Sequence, residues 1–267
     1  MTPYTALSML MGPGISPVRI IGDLCLALSG PWLLYRLKAK GTTGVSLETQ
    51  ILRLLVFTTR YFDVLVGPTV SIYNTTLKYI ILLSGILSVT AVAHGSGVRS
   101  LHEKTQAHML GLFCGVSIVL GCFFNYFPSA MEIAWSFSMW LAIFADIPQF
   151  CVTVKSLKRD WQIIVYLALL AGYRVFYLPH WILRYIDQGV LDPIAIVSGI
   201  GTILVHFAGF IFIIATKIVR SDNIQSQLQI AVEEGVPEPS IDTAVLVVVE
   251  KGAPKSSTNP STLQGKK

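Results

Sequence analysis

Arg53, Arg60, Asp63, Glu132, Asp146, Arg174 and Arg184 all lie in or beside long apolar runs, where charge is expensive. Their types define the available chemistry. A guanidinium grips a carboxylate through two parallel hydrogen bonds, and a carboxylate set in the same space receives an ammonium. Arg60 and Asp63 are three apart and share a helix face, with Arg53 two turns earlier. Tyr173, Tyr177, Trp181 and Arg184 make one stripe at helical spacing, with Arg174 beside it. Glu132 and Trp135 repeat the three-residue spacing, and Arg19 and Asp23 pair at i,i+4. Together they predict a polar mouth with more basic than acidic groups, suited to a carboxylate-bearing ligand, in which Glu132 meets a ligand ammonium. A second arrangement fits the same residues: each charge locked in an interhelical salt bridge, with the aromatics anchoring the membrane boundary. The chain shows no HExxH, no GxSxG and no clustered His and Cys. No enzyme activity, metal site or cofactor is expected.

These residues must be held by membrane-spanning elements. The chain is 53% hydrophobic and only 13% charged, with mean hydropathy +0.63, too apolar for one water-soluble core. Runs long enough to cross predict seven spans: about Val18 to Leu37, Leu47 to Val66, Leu77 to Ala93, Met109 to Phe124, Met131 to Val154, Trp161 to Trp181 and Pro193 to Ile218. Loop charge supports that number. Arg36, Lys38 and Lys40 follow the first span, Arg99 and Lys104 the third, Lys155, Lys158 and Arg159 the fifth, and Lys217 and Arg220 end the seventh. The connections at 67–76 and 125–130 carry no Lys or Arg, and the one around Asp187 to Asp192 is acidic. This alternation predicts a luminal or outside N terminus and a cytosolic C terminus.

Residues 1–17 read as an N-terminal luminal extension without a cleavable signal, 18–219 as the seven-helix domain, and 220–267 as a disordered cytosolic tail. Cys25, Cys114, Cys122 and Cys151 fall within predicted spans and read as small buried hydrophobes. Asn74-Thr75-Thr76 matches a glycosylation sequon but abuts the third span, which disfavours its use. The net charge of +5 is spread over membrane flanks and tail, and points to lipid rather than to nucleic acid. Pro148-Gln149 inside the fifth span predicts a hinge. A polar, Arg-bearing helix in each half suggests an internal three-helix repeat.

Ordered stretches of the chain strongly resemble one family. Leu55-Val56-Phe57-Thr58-Thr59-Arg60-Tyr61-Phe62-Asp63, then Ser71-Ile72-Tyr73-Asn74-Thr75, resemble the KDEL receptors, the ER lumen protein-retaining receptors. So do Glu132-Ile133-Ala134-Trp135-Ser136-Phe137-Ser138, Ile147-Pro148-Gln149, and Tyr173-Arg174-Val175-Phe176-Tyr177-Leu178 on to Trp181 and Arg184. The resemblance covers about Arg19 to Val219. It implies a seven-helix fold related to the SWEET transporters, with two inverted three-helix units. It also implies retrieval of ER luminal proteins from the Golgi by a C-terminal Lys/His-Asp-Glu-Leu signal, with return in coated vesicles. Mild Golgi acidity favours capture in that family. By the same resemblance Arg60 takes the terminal carboxylate, Arg19 and Arg184 hold acidic signal side chains, and Asp63 orients the site. Glu132 and Trp135 receive the basic first residue of the signal. Tyr173, Tyr177 and Trp181 line the site, with Arg174 in the polar network.

Several family positions depart. The pH-sensing histidine falls on Leu26, a network glutamate on Ala142 one turn before Asp146, and an asparagine on His180. An aspartate of the seventh span has no counterpart near Ala208 and Gly209, though His206 lies close by. With Leu26 unable to titrate, His180 is the first candidate for a pH switch and His206 the second. The final Gly265-Lys266-Lys267 lacks the spacing of a dilysine coat signal. Two other readings stand beside retrieval: a diverged paralogue with a trafficking or structural role, and a small-solute transporter on the same fold.

Overall fold

The computed structural model describes residues 16–62, 64, 71–96, 104–156 and 160–233, and every regular element among them is a helix. Helix α1 (Pro17–Lys40) starts at Ser16, whose hydroxyl accepts from the Arg19 amide while Pro17 fills the first turn. Helix α2 (Leu47–Arg60) is capped the same way by Ser46. There follow α3 (Ile72–Ser96), α4 (Lys104–Phe123), α5 (Ala130–Phe144), α6 (Ile147–Lys155), α7 (Trp161–Gln188) and α8 (Pro193–Glu233). The chain divides into two compact units, Met1–Ile213 and Ile214–Lys267.

Five stretches are long and apolar enough to cross a membrane: Pro17–Lys40, Ile72–Gly95, Ala130–Lys155, Trp161–Gln188 and Pro193–Val219. A shorter apolar helix covers His108–Phe123. The side chains are distributed inside out. Asp146, Gln149 and Ser198 are fully buried, whereas Leu28, Leu83, Leu112, Leu204 and Phe207 are exposed. Such a surface is at home only against lipid. The protein is an all-α, multi-pass membrane protein.

The second expected span comes out differently, and the fifth carries a break. The second was expected to reach Val66, but α2 ends at Arg60, after 14 residues. The Thr58 and Thr59 hydroxyls bond back to the carbonyls of Leu54 and Leu55 in its last turn. The fifth is broken into α5 and α6 at Ala145 and Asp146. Pro148 has no N–H, and its ring would clash with the Phe144 carbonyl, so the helix restarts there. The sixth expected span runs on as α7 through Pro179 to Gln188, and Gly189 closes it in the left-handed conformation at φ 67°.

The disordered tail expected from residue 220 is corrected in its first part, because α8 continues to Glu233. Residues 221–233 contain no Gly or Pro and are rich in Gln, Ile, Leu and Ala, which sustains a helix until Gly235 and Pro237. Cys25 and Cys114 are half-buried as expected, but Cys122 and Cys151 are exposed on their helices.

Helix α1 packs most extensively on α7, α5 on α2 and α4, and α3 on both α1 and α2. Arg19 and Glu132, in the first turns of α1 and α5, line one cavity, while Lys40 and Lys155, ending α1 and α6, line another. The two polar halves therefore start at the same end. Helices α1 and α5 thus begin at one end, whereas inverted units would begin at opposite ends. At the far end Asp160, the N-cap of α7, accepts from Arg36 Nη2 at 2.9 Å and Lys40 Nζ at 3.1 Å.

Candidate ligand cavity

A cavity of about 480 Å³ opens at the end of the bundle where α1, α5 and α8 begin and α2 and α7 finish. Its volume suits a short peptide segment or a small molecule. Arg19, Arg60, Arg174, Arg184 and Lys78 line it against only Glu132 and Asp192. Among the described residues, cations therefore outnumber acids around this space.

Close packing of α1 on α7 builds the floor. A Cβ on Gly22 would stand 2.7 Å from the Tyr177 ring and 3.2 Å from the Tyr173 carbonyl, so only glycine permits this approach. It lets Asp23, 7% exposed, accept hydrogen bonds from the Tyr177 hydroxyl and from the Tyr73 hydroxyl, the latter at 3.1 Å. Arg19 Nε lies 3.6 Å from the same carboxylate, and its Nη2 donates to Asn74 Oδ1 at 3.2 Å. Asp23 thus ties α1, α3 and α7 together and aims Arg19 at the cavity.

Arg60 is held from α5: its Nε donates to Ser138 Oγ at 3.3 Å and its Nη2 to the Ser138 carbonyl at 3.1 Å. Arg174 is 1% exposed, with its Cζ 4.9 Å from the Tyr173 ring centroid. Its Nε and Nη2 have no hydrogen-bond partner among the described residues. Across the mouth, Glu132 Oε1 is also buried without a partner. Trp135 stands 6.1 Å from Tyr126, and Trp181 5.7 Å from Tyr177. Tyr126 donates to Asp192 Oδ1 at 2.8 Å, and burial followed by that bond pushes its phenol up to about 12. The same oxygen accepts from the Ala195 amide at 2.9 Å, fixing the start of α8 at the cavity.

The structure thus gathers Arg19, Arg60, Glu132, Trp135, Tyr173, Arg174, Tyr177, His180, Trp181 and Arg184 around one space, with Asp23 beneath it. Arg184 is exposed at the rim, where its Nε donates to Gln188 Oε1 at 3.4 Å. Its place a turn from the end of α7 accounts for this. Asp63 lies outside the described residues. Arg53, Asp146 and His206 form a separate buried cluster elsewhere in the first unit. Arg53 binds both Asp146 oxygens, Nε to Oδ1 at 2.6 Å and Nη2 to Oδ2. His206 Nε2 is 3.1 Å from Asp146 Oδ2, off the angle for a hydrogen bond, and its Nδ1 is 2.8 Å from the Thr202 carbonyl. His180 contacts the Ser16 hydroxyl through Nδ1 at 2.9 Å. Arg19 and Arg184 share its cavity wall, and no carboxylate pairs with it among the described residues.

Sequence reasoning missed Ser138, Asn74 and Tyr73 as partners of the site, since small polar residues near helix ends are common. It also undervalued Gln149. That side chain is fully buried, accepts from the Ser46 amide at 2.9 Å, and donates to the Gly44 carbonyl at 2.9 Å. It therefore holds the α1–α2 turn.

Comparison with known proteins gives the family. Residues 41–184 match the family model described as ER lumen protein retaining receptor. The chain is 32% identical over 217 residues to the ER lumen protein-retaining receptor of Saccharomyces cerevisiae, covering 77% of this chain and 96% of that one. It is 33% identical over 207 residues to ER lumen protein-retaining receptor 3 of Xenopus laevis, covering 77% and 95%. The mouse protein of the same name is 31% identical over 207 residues, with the same coverage. Family and fold agree: the chain belongs to the ER lumen protein-retaining receptors, a family of membrane receptors and not of enzymes.

Proposed function

We propose that this protein is a Golgi-to-ER retrieval receptor for luminal proteins ending in Lys/His-Asp-Glu-Leu signals. The observation that carries the proposal is the cavity in which four arginines outnumber the acids, with an unpartnered Glu132 oxygen at its mouth. A peptide ending in Asp-Glu-Leu brings three carboxylates to such a space, and its basic first residue meets Glu132 and Trp135. Arg60 holds the terminal carboxylate end, Arg19 and Arg184 the acidic side chains, and Tyr173, Tyr177 and Trp181 the wall. Asp63 orients the site.

In this reading the chain crosses the membrane seven times, with α2 and α4 added to the five long apolar stretches and α5–α6 counted as one broken span. Residues 18–219 form the receptor, with the N terminus luminal, as the loop charges require. The pairing of α1 with α7 and of α5 with α2 supports a SWEET-like repeat of parallel units: exchange of α1–α2 for α5–α7 maps one contact onto the other. Residues 220–267, on the cytosolic side, meet coat machinery. The receptor works in ER and Golgi membranes.

Proton control falls to His206 instead of His180. The Thr202 carbonyl accepts only, so Nδ1 carries a proton, and Nε2 faces a carboxylate. His180 has arginines where it needs an acid.

The test is binding in detergent at about pH 5.5 of a peptide ending in Lys-Asp-Glu-Leu, as the free acid and as the amide. The free acid binds and the amide does not, and Arg60→Ala weakens binding by at least about 2 kcal/mol. Equal affinity for the two peptides sinks the carboxylate assignment. Alanine at the first signal position, binding as well as lysine and histidine, would remove Glu132 from the site.

A further inference from the structure

At the end of the bundle opposite the ligand cavity, a second cavity of about 590 Å³ lies where α1 and α6 finish and α7 begins. Arg36, Lys40, Lys155 and Asp160 line it, with Val152 and Ile163 on its apolar side. The charged groups are unequally engaged. Arg36, 3% exposed, donates to Asp160 Oδ2 from Nε at 3.0 Å and Nη2 at 2.9 Å, and to the Gly41 and Thr43 carbonyls. That ion pair is neutral, so the charges of Lys40 and Lys155 remain uncompensated. Lys40 reaches the other Asp160 oxygen at 3.1 Å, on a side chain 44% exposed. Lys155 is exposed, and its ammonium pairs with no carboxylate among the described residues. Aromatic residues fix the depth. Trp161, next to Asp160 and 54% exposed, stands 5.6 Å from Trp32, which stands 6.0 Å from the exposed Tyr35. Trp and Tyr collect at the level of lipid headgroups, so the cavity opens at that level.

We propose that this cavity takes the headgroup of a phosphate-monoester lipid such as phosphatidic acid, with Lys40 and Lys155 donating to its phosphate oxygens. Charge selects the class of lipid. A phosphate monoester carries about −1.5 to −2 near neutral pH, and two neighbouring ammonium groups favour the dianion. Phosphatidylserine brings a single net charge and phosphatidylcholine none. Lys40 turns to the phosphate without stranding Asp160, which keeps both of its bonds from Arg36. The volume exceeds that of a bare phosphate and leaves room for the glycerol that carries the acyl chains. Lysines in the last turn of a helix also complement its dipole, but that role needs no ligand and does not tell one anionic lipid from another. The two cavities share no residue, so lipid binding here does not require the retrieval reading.

The experiment titrates the full-length receptor in detergent with dioctanoyl phosphatidic acid, phosphatidylserine and phosphatidylcholine, and with inorganic phosphate. Phosphatidic acid binds at least about tenfold tighter than phosphatidylserine or inorganic phosphate, and phosphatidylcholine does not bind. Lys40→Gln and Lys155→Gln each weaken phosphatidic acid about fivefold, and the double variant about twenty-five-fold. Lys155→Arg keeps the charge and the affinity. Lys38→Gln removes an exposed charge from the same end of α1, outside the cavity lining, and leaves the affinity within about twofold. If Lys40→Gln lowers the melting temperature of the empty receptor, Lys155→Gln, which breaks no ion pair, decides. Equal affinity for phosphatidic acid and phosphatidylserine overturns the site. So does an equal loss in Lys38→Gln and Lys155→Gln, which marks diffuse surface charge. Inorganic phosphate that binds as tightly as phosphatidic acid overturns the lipid as occupant.

Discussion

Which atoms of a charged side chain are already engaged decides what it does, and Asp160 shows this as clearly as the arginines. Burial pushes its carboxyl up, but hydrogen bonds from Arg36 and Lys40, the Arg36 charge and the Gln162 amide outweigh that and hold it below the ordinary carboxylate range. Its side chain is 20% exposed against 4% for Arg36, so the pair is only partly screened. The sign follows. A carboxyl depressed in the folded state contributes stability that is fully present above about pH 4 and is lost as pH falls through the lowered value. Asp160→Asn therefore lowers thermal stability in detergent at neutral pH, by roughly 2 kcal/mol, and flattens the decline on acidification below about pH 4. A variant that melts with the parent across the whole range shows that the pair is solvated and idle. The sequence shows the types of such residues at once, and the cluster of arginines and aromatics around the cavity is readable from spacing alone. It does not show that Ser138 bonds one edge of Arg60 while Arg174 is buried against the Tyr173 ring, because that depends on the depth and rotation of helices far apart in the chain.

Elements obey simpler rules. Long apolar runs fixed α1, α3, α7 and α8 to within a few residues at most ends, since lipid tolerates only a closed helical backbone. Deviations concentrate where polar residues enter: α2 stops at Thr58, Thr59 and Arg60, and the fifth span breaks beside Asp146 and Pro148. Composition could not foresee that Asp146 is spent on Arg53 and leaves α6 without a side-chain cap. Nor could it show how closely helices approach. The α1–α7 contact depends on Gly22, where a methyl group would meet the Tyr177 ring at 2.7 Å. Gly22→Ala should destabilise the receptor by about 1–3 kcal/mol through overpacking, despite the better helix propensity of alanine. Because the displaced ring belongs to the Asp23 cluster, peptide affinity should fall as well. Unchanged melting and unchanged affinity would mean that the helices separate freely there.

At the scale of the whole bundle, one helix, α8, touches both polar centres. That helix begins at the cavity, where Asp192 accepts from Tyr126, and Gly199 lies against the Trp181 ring. Two turns on, His206 reaches the Asp146 carboxylate at the α5–α6 break, with Arg53 from α2 on the same carboxylate, Tyr166 of α7 near that pair, and the Phe150 ring edge 5.5 Å away. His206 therefore stands beside a carboxylate, which makes it a group to vary. Gly199 of α8 packs directly against the Trp181 ring of the cavity wall. Free-acid peptide affinity, measured from about pH 5.5 to about pH 7.5, should fall at least about tenfold in the parent and change by less than about threefold in His206→Asn. His180→Asn should keep the parental slope, because its imidazole faces Ser16 and two arginines and has no acid to answer a proton. If His206→Asn titrates as steeply as the parent, the Asp146 cluster is a fixed structural pin. If the parent itself is flat, acid-driven capture is absent from this chain, and the paralogue reading gains what the retrieval reading loses.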